Sequence, residues 1–178
     1  MFSRQFPFFN QLSSNEIFSI HQDREGYFWI GTTNGLARYD GYQLNTFRTD
    51  YKNQNLLTDN GITAINDNDL YVWIGTWKGL NLYNKQTCRI TPFPDARLLD
   101  KVVDAITVDK DGNVWVSAGG MIYRCDSTAH IIKEYEVGNI QEGYAISNIY
   151  VDQQKQLWAV GSRGIFRYEP ETDSFFRY

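Results

Sequence analysis

Hydrophobic and polar residues alternate in short runs along the chain, and clusters of Gly, Asn and Asp separate the runs. The first clear run, Ile17 to His21, alternates with a period of two and predicts a β-strand. The next turn signal, Asn34-Gly35, predicts a tight connection because both residue types tolerate positive φ. One unit of four antiparallel strands follows from these signals, with strands predicted over 17–21, 27–32, 36–39 and 43–47.

A tryptophan-centred motif repeats this unit along the chain. Its four tryptophans are separated by 44, 42 and 43 residues. Four strands in about 40 to 50 residues is the period of a β-propeller blade. The sequence therefore predicts an all-β fold of four four-stranded antiparallel blades in one domain over 1–178. An open arc of a larger ring is favoured over a closed ring of four. The predicted blades cover about 14–48, 59–93, 102–135 and 145–178, after a lead-in strand over 1–13.

The repeated positions are interpreted as structural. A large flat indole would fill the wedge between two twisted sheets, and the glycines suit close approach and tight turns. The predicted structural core of the repeat comprises Trp29, Trp73, Trp115, Trp158, Gly31, Gly75, Gly35 and Gly79.

Composition narrows the classes of function. Aromatic residues make up 16% of the 178 residues, while the net charge of −4 offers no basic surface for nucleic acid. No apolar run approaches the roughly 20 residues that span a bilayer. Cys88 and Cys125 lack a C-x-x-C spacing, and free thiols are favoured over a bridge.

Catalytic and metal chemistry find no support in the residue pattern. The chain has two histidines, His21 and His130, without metal-ligand spacing, and it lacks a G-x-S-x-G motif. The turn from Asp109 to Gly112 lacks the further oxygen ligands of a calcium loop. The sequence therefore predicts no catalytic residue, no metal and no cofactor.

The motif D-x-x-G-x-x-W-I-G-T-x-x-G-L-x-x-Y, complete around Trp29, resembles the two-component regulator propeller repeat. The match weakens in the third unit, where Ser117-Ala118 replaces Gly-Thr, and in the fourth, where Ala159-Val160 replaces Ile-Gly. The resemblance implies the N-terminal periplasmic sensor region of a hybrid two-component system of the Bacteroides type, with its histidine kinase and membrane helix in other segments. It also implies that the chain is an incomplete part of a seven-bladed propeller and that it catalyses nothing, and it suggests an oligosaccharide signal.

Candidate ligand residues are those that depart from the repeat on the face carrying the turns between second and third strands. Trp77 is not needed for the core there and would stack on a sugar ring, while Lys78 would bond a hydroxyl or carboxylate. Arg163 sits at the equivalent turn of the fourth unit, and Tyr144 is a weaker candidate. The competing interpretation makes all four residues solvent-facing turn residues or contacts to further blades.

Partners follow from the same interpretation: a small molecule or oligosaccharide, and either the remaining blades of a parent protein or a second copy. No nucleic acid is expected, and membrane contact only through segments outside this chain. A protein–protein interaction scaffold is the alternative function, although Trp-Ile-Gly-Thr differs from the terminal Trp-Asp of WD40 repeats. A fragment of an enzymatic propeller is disfavoured by the lack of clustered His, Tyr and carboxylate positions.

Overall fold

The structure, a computed structural model, describes residues 11–49, 56–137, 146–162 and 164–178. The predicted lead-in strand falls mainly on residues 1–10, outside the described residues, and so do Tyr144 and Arg163.

The described residues form sixteen strands in four sheets. The first blade consists of β1 (Ile17–Gln22), β2 (Phe28–Thr32), β3 (Gly35–Tyr39) and β4 (Leu44–Phe47). The second consists of β5 (Ile62–Asp67), β6 (Tyr71–Thr76), β7 (Gly79–Asn84) and β8 (Arg89–Pro92). The third consists of β9 (Val103–Val108), β10 (Val114–Ala118), β11 (Met121–Cys125) and β12 (Ile131–Glu136). The fourth consists of β13 (Ile146–Val151), β14 (Leu157–Gly161), β15 (Gly164–Glu169) and β16 (Ser174–Arg177).

The predicted fold class is confirmed. Each sheet is an antiparallel meander in which sequential strands pair. The first strands of the four blades lie side by side in chain order, β1 against β5, β5 against β9 and β9 against β13, so the blades form an arc. A short 3-10 turn, Ala96–Leu98, lies in the connection between blades 2 and 3, where it buries Leu98.

The hydrophobic core lies between blades rather than inside one sheet. Three apolar layers fill the spaces between blades 1 and 2, 2 and 3, and 3 and 4. Each layer is built around the motif tryptophan of the earlier blade, which is buried in all three cases: Trp29, Trp73 and Trp115. Cys125 is also buried, unpaired, and burial raises the pKa of its thiol to about 12.

The glycine two residues after the tryptophan sets how closely the blades approach. A Cβ on Gly31 would lie 2.6 Å from the side chain of Ile62, and one on Gly75 would lie 2.6 Å from that of Val103. Only glycine leaves that space without a shift of the next blade. In blade 3 the position is Ser117, whose hydroxyl donates a hydrogen bond to the Ile146 carbonyl at 3.0 Å.

The aspartate of the motif ties the tryptophan to the turn that precedes it. Asp23 Oδ1 accepts hydrogen bonds from the backbone N–H groups of Glu25 and Tyr27, both at 3.0 Å. Its Oδ2 accepts the indole N–H of Trp29 at 2.7 Å. The same indole bond joins Trp115 to Asp109 and Trp158 to Asp152, at 2.8 Å in both.

Blade 2 lacks this tie. Its turn is one residue shorter, and Asn68 occupies the place of the motif aspartate. The Asn68 amide donates instead to the Ser127 carbonyl of blade 3 at 3.1 Å. The indole N–H of Trp73 is consequently buried without a hydrogen-bond partner, the one motif tryptophan of the described residues in that situation.

Candidate functional site

A β-bulge occurs at the same place in the first strand of every blade. In blade 1 Ile17 pairs with Thr32 and Ser19 with Gly31, which leaves Phe18 as the extra residue. Bulges re-aim the side chains they carry and are frequent beside binding sites. In each blade the bulge lies at the strand ends next to the turn between the second and third strands. The four bulged residues are Phe18, Thr63, Asp104 and Ser147.

Trp77 lies at the same strand ends of blade 2, in the turn between β6 and β7. Its backbone N–H donates to the Gly61 carbonyl at 3.1 Å. A Cβ on Gly61 would lie 2.3 Å from the indole Cε3, so the ring rests directly on the Gly61 backbone. The side chain nevertheless remains 44% exposed. The indole is therefore held from one side and open to solvent on the other.

Phe18 supports the same indole from the neighbouring blade. The rings of Phe18 and Trp77 meet edge to face, with centroids 6.2 Å apart and an interplanar angle of 66°. Phe18 is itself 57% exposed. We call Phe18, Gly61 and Trp77 the aromatic shelf. Sequence reasoning missed Phe18, although a signal was present, because the other three bulged positions are polar and Phe18 departs from them.

The turn that carries Trp77 is well defined. Thr76 Oγ1 donates to the Gly79 carbonyl at 2.8 Å and accepts from the Lys78 N–H at 3.1 Å. Gly79 has a φ of +116°, which favours glycine. Lys78 shares the turn with Trp77, and its side chain is exposed. Trp77 and Lys78, which are adjacent in the sequence, are thus both exposed in this turn, while Arg163 and Tyr144 lie outside the described residues.

The equivalent turn of blade 1 is closed by neighbouring chain. Ser14 Oγ and Thr33 Oγ1 are hydrogen-bonded at 2.8 Å, and the Asn34 amide donates to the Ser13 carbonyl at 3.3 Å. Arg48 Nε donates to the Asn34 carbonyl at 2.9 Å. These bonds occupy the polar groups of that turn, so blade 2 offers the more open surface of the two.

A buried carboxylate lies between blades 1 and 2, at the strand ends opposite to those that carry Trp77. Asp67 is bonded to His21 Nε2 and to Lys85 Nζ, each at 2.7 Å, and it is 5% exposed. Burial opposes ionisation of Asp67, but the hydrogen bonds from His21 and Lys85 outweigh it and lower its pKa to about 2. With every oxygen engaged, the cluster is a tie between two blades rather than a reactive site.

A cavity of about 210 Å³ opens at that same end, between the turns of blades 3 and 4. Lys110 and Lys155 line it together with Asp109. The volume is below the roughly 300 to 1,000 Å³ of ordinary ligand pockets. Asp109 is also already engaged by Trp115 and Asn113. We therefore place the candidate site at the aromatic shelf and not in this cavity.

The described residues contain neither a candidate metal cluster nor a candidate membrane-spanning helix. They contain no group of three or more His, Cys, Asp and Glu side chains placed to hold a metal ion. No helix in this part of the chain combines the length and apolar character needed to cross a membrane.

The model of the two-component regulator propeller family matches residues 11–34. This segment contains the first aspartate–tryptophan tie and the first tight turn between second and third strands. No curated protein matches the chain.

Solved structures with similar folds include sensors and enzymes. The extracellular domain of the one-component system BT4673 from B. thetaiotaomicron matches with a TM-score of 0.69 and 21% identity, over 87% of this chain and 21% of that one. The extracellular domain of the hybrid two-component system BT3049 from the same organism matches with 0.63 and 21%, over 93% and 30%. Virginiamycin B lyase from Staphylococcus aureus matches with 0.70 and 18%, over 92% and 55%.

The chain therefore spans about a fifth to just over half of these neighbours' length, and at such identities the likeness concerns the fold. The fold and the family match agree with each other and with the repeat seen in the sequence. The chain is an arc of four β-propeller blades, and its residues 11–34 match the two-component regulator propeller model.

Proposed function

We propose that this chain is a ligand-sensing segment of the periplasmic propeller region of a hybrid two-component sensor, that its signal is an oligosaccharide, and that it binds without catalysing. The repeat matched at residues 11–34 supports the sensor assignment. The observation that supports an oligosaccharide ligand is the exposed indole of Trp77, which packs on the Gly61 backbone and contacts the ring of Phe18.

The shelf suits the apolar face of a sugar ring. An indole held flat on backbone loses little side-chain entropy when a ligand stacks on it, since its orientation is already fixed. Stacking on the free face of Trp77 would bury the C–H face of the sugar, and the ammonium of Lys78 would donate to a hydroxyl or carboxylate. Arg163 and Tyr144 stay candidates from the sequence alone, because both lie outside the described residues.

Calorimetry with neutral and acidic oligosaccharides tests the proposal. We expect Trp77→Ala to weaken binding of the recognised sugar by about tenfold or more, since the stacking surface is lost. Tyr42→Ala is the matched control, because Tyr42 is an aromatic residue 84% exposed in the turn between β3 and β4, at the other end of the strands. Equal affinities of the two variants would remove the shelf as the site.

An interaction scaffold is the second candidate, and a specific observation favours it. Large apolar side chains are exposed on the outer faces of both terminal blades, among them Ile20 in blade 1 and Ile165 in blade 4. Such exposed apolar faces are typical of surfaces that another protein unit covers. We do not propose an enzymatic propeller, because the similarity to the lyases is one of fold.

A further inference from the structure

Each of blades 2, 3 and 4 packs one face against the preceding blade, and we call this face of a blade its leading face. The same arrangement of side chains recurs on the leading face in all three interfaces. Three positions of that face, two on the first strand and one at the start of the second, are apolar and at most 7% exposed in blades 2, 3 and 4. They are Ile62, Ile65 and Val72 in blade 2, Val103, Ile106 and Val114 in blade 3, and Ile146, Ile149 and Leu157 in blade 4.

Blade 1 has the same chemistry at these positions without the cover. The residues are Ile17, Ile20 and Phe28, and they are 43%, 67% and 37% exposed. Apolar side chains that are buried at these positions in blades 2, 3 and 4 are thus exposed to solvent in blade 1. The leading face of blade 1 thus has the same apolar composition as the three covered leading faces, and the internal interfaces show what packs on such a face.

The other half is the trailing face, which each blade turns toward the next. It presents the motif tryptophan, the small residue two positions later and an aliphatic residue of the third strand. In the three internal interfaces these are Trp29, Gly31 and Leu36, then Trp73, Gly75 and Leu80, then Trp115, Ser117 and Ile122.

Blade 4 departs from this pattern at one position. Val160 stands where the earlier blades have Gly31, Gly75 and Ser117, and it is 38% exposed. A Cβ alone on Gly31 would already lie 2.6 Å from the Ile62 side chain. Valine adds two methyl groups beyond that Cβ. If blade 1 of a second copy docked on blade 4, its Ile17, the residue equivalent to Ile62, would overlap these methyl groups.

We propose that the leading face of blade 1 binds a further propeller blade that carries Trp-x-Gly on its second strand, and that Val160 prevents blade 4 of a second copy from being that blade. The occupant is specified by continuity with the internal interfaces, in two of which Ile62 and Val103 pack over a glycine. Of the two partners expected from sequence, the remaining blades of a parent protein are favoured over a second copy.

Sedimentation velocity on the chain and on blade 4 variants tests this. Val160→Gly gives blade 4 the Trp-x-Gly form, and we expect it to self-associate head to tail at least about tenfold more tightly than the unmodified chain. Val160→Ser copies the side chain at the interface between blades 3 and 4 and is expected to do the same. Circular dichroism first establishes that each variant is folded, and Val160→Ser carries the test if Val160→Gly is not.

A second substitution identifies the surface. Ile20→Asp on the leading face, added to Val160→Gly, is expected to restore the monomer, because a buried unpaired carboxylate is costly. Tyr42→Asp adds the same charge away from both faces and is expected to leave the association intact. Folded Val160→Gly and Val160→Ser chains that both stay monomeric would overturn the leading face as a docking surface, as would association that Ile20→Asp does not weaken. Association of the unmodified chain that Ile20→Asp abolishes would overturn the role of Val160.

Discussion

The aspartate of the repeat motif holds its turn and its tryptophan at the same time. In blade 1, one carboxylate oxygen of Asp23 closes the turn backbone and the other accepts the indole N–H of Trp29. The six-residue spacing in the motif is therefore a requirement of geometry, since it places a turn acceptor against a buried donor. Blade 2 shows the consequence of losing it, because the Trp73 indole N–H has no partner.

Replacing Asp23 should therefore destabilise the fold more than replacing an exposed aspartate does. We expect Asp23→Ala to lower the free energy of unfolding by about 1 to 3 kcal/mol, because it leaves the buried Trp29 donor and two turn N–H groups without their acceptor. Urea unfolding followed by tryptophan fluorescence measures the change. Asp69→Ala removes an exposed carboxylate paired with Arg24 and should cost less than about 1 kcal/mol. Indistinguishable midpoints for the two variants would contradict this role of the motif aspartate.

At the scale of the blades, the repeated apolar layers are supplemented by polar ties that differ from one interface to the next. Blades 1 and 2 share the buried Asp67 with its bonds to His21 and Lys85. Blades 3 and 4 instead share Asp173, which accepts the hydroxyls of Tyr135 and Tyr168, each at 2.6 Å. Such unique ties distinguish otherwise similar blades and fix which blade packs against which.

The tie at Asp67 makes part of the stability depend on pH. The pKa of Asp67 is about 2 in the folded chain against an ordinary value of 3.8, so its contribution is complete above pH 3.8 and disappears as the pH falls through 2. We expect Asp67→Asn to lower the free energy of unfolding by about 2 kcal/mol near neutral pH, and the difference from the unmodified chain to vanish in strong acid.

Chemical denaturation of both chains across this pH range measures that difference, and protonation of other carboxylates affects both alike. Asp111→Asn, in an exposed turn, is the matched control and should change stability little at any pH. A difference between Asp67→Asn and the unmodified chain that persists unchanged below pH 2 would show that the pair is not ionic.

The whole arc could be predicted from sequence because its information is periodic. The spacing of Trp29, Trp73 and the later motif tryptophans fixes the blade length, and alternation fixes the strands. The bulge at Phe18 could not be predicted in this way, since it depends on pairing two residues against one on β2. The contacts of Asp67 with His21 and Lys85 could not be predicted either, because none of these three residues is a repeated position of the motif and His21 belongs to a different blade.

The arrangement of blades in a row leads to a prediction for the whole molecule. Blades 2 and 3 are covered on both faces, whereas blade 4 has one neighbour, and stability in stacked repeats depends on neighbour interfaces. Val116 in β10 and Ala159 in β14 test this, since both lie on the second strand in matching register and both are 0% exposed. If local burial alone decided protection, their backbone amides would exchange hydrogen at equal rates.

We expect the Ala159 amide to exchange at least about tenfold faster than that of Val116, because blade 4 opens without breaking a second interface. Native-state hydrogen exchange followed by NMR measures both amides in one sample. The Ile74 amide of β6, in a blade covered on both faces, should match that of Val116 and serves as the internal control. Equal rates at all three amides would show that the arc unfolds as one cooperative unit, with the exposed faces of its terminal blades weakening the interior as much as the ends.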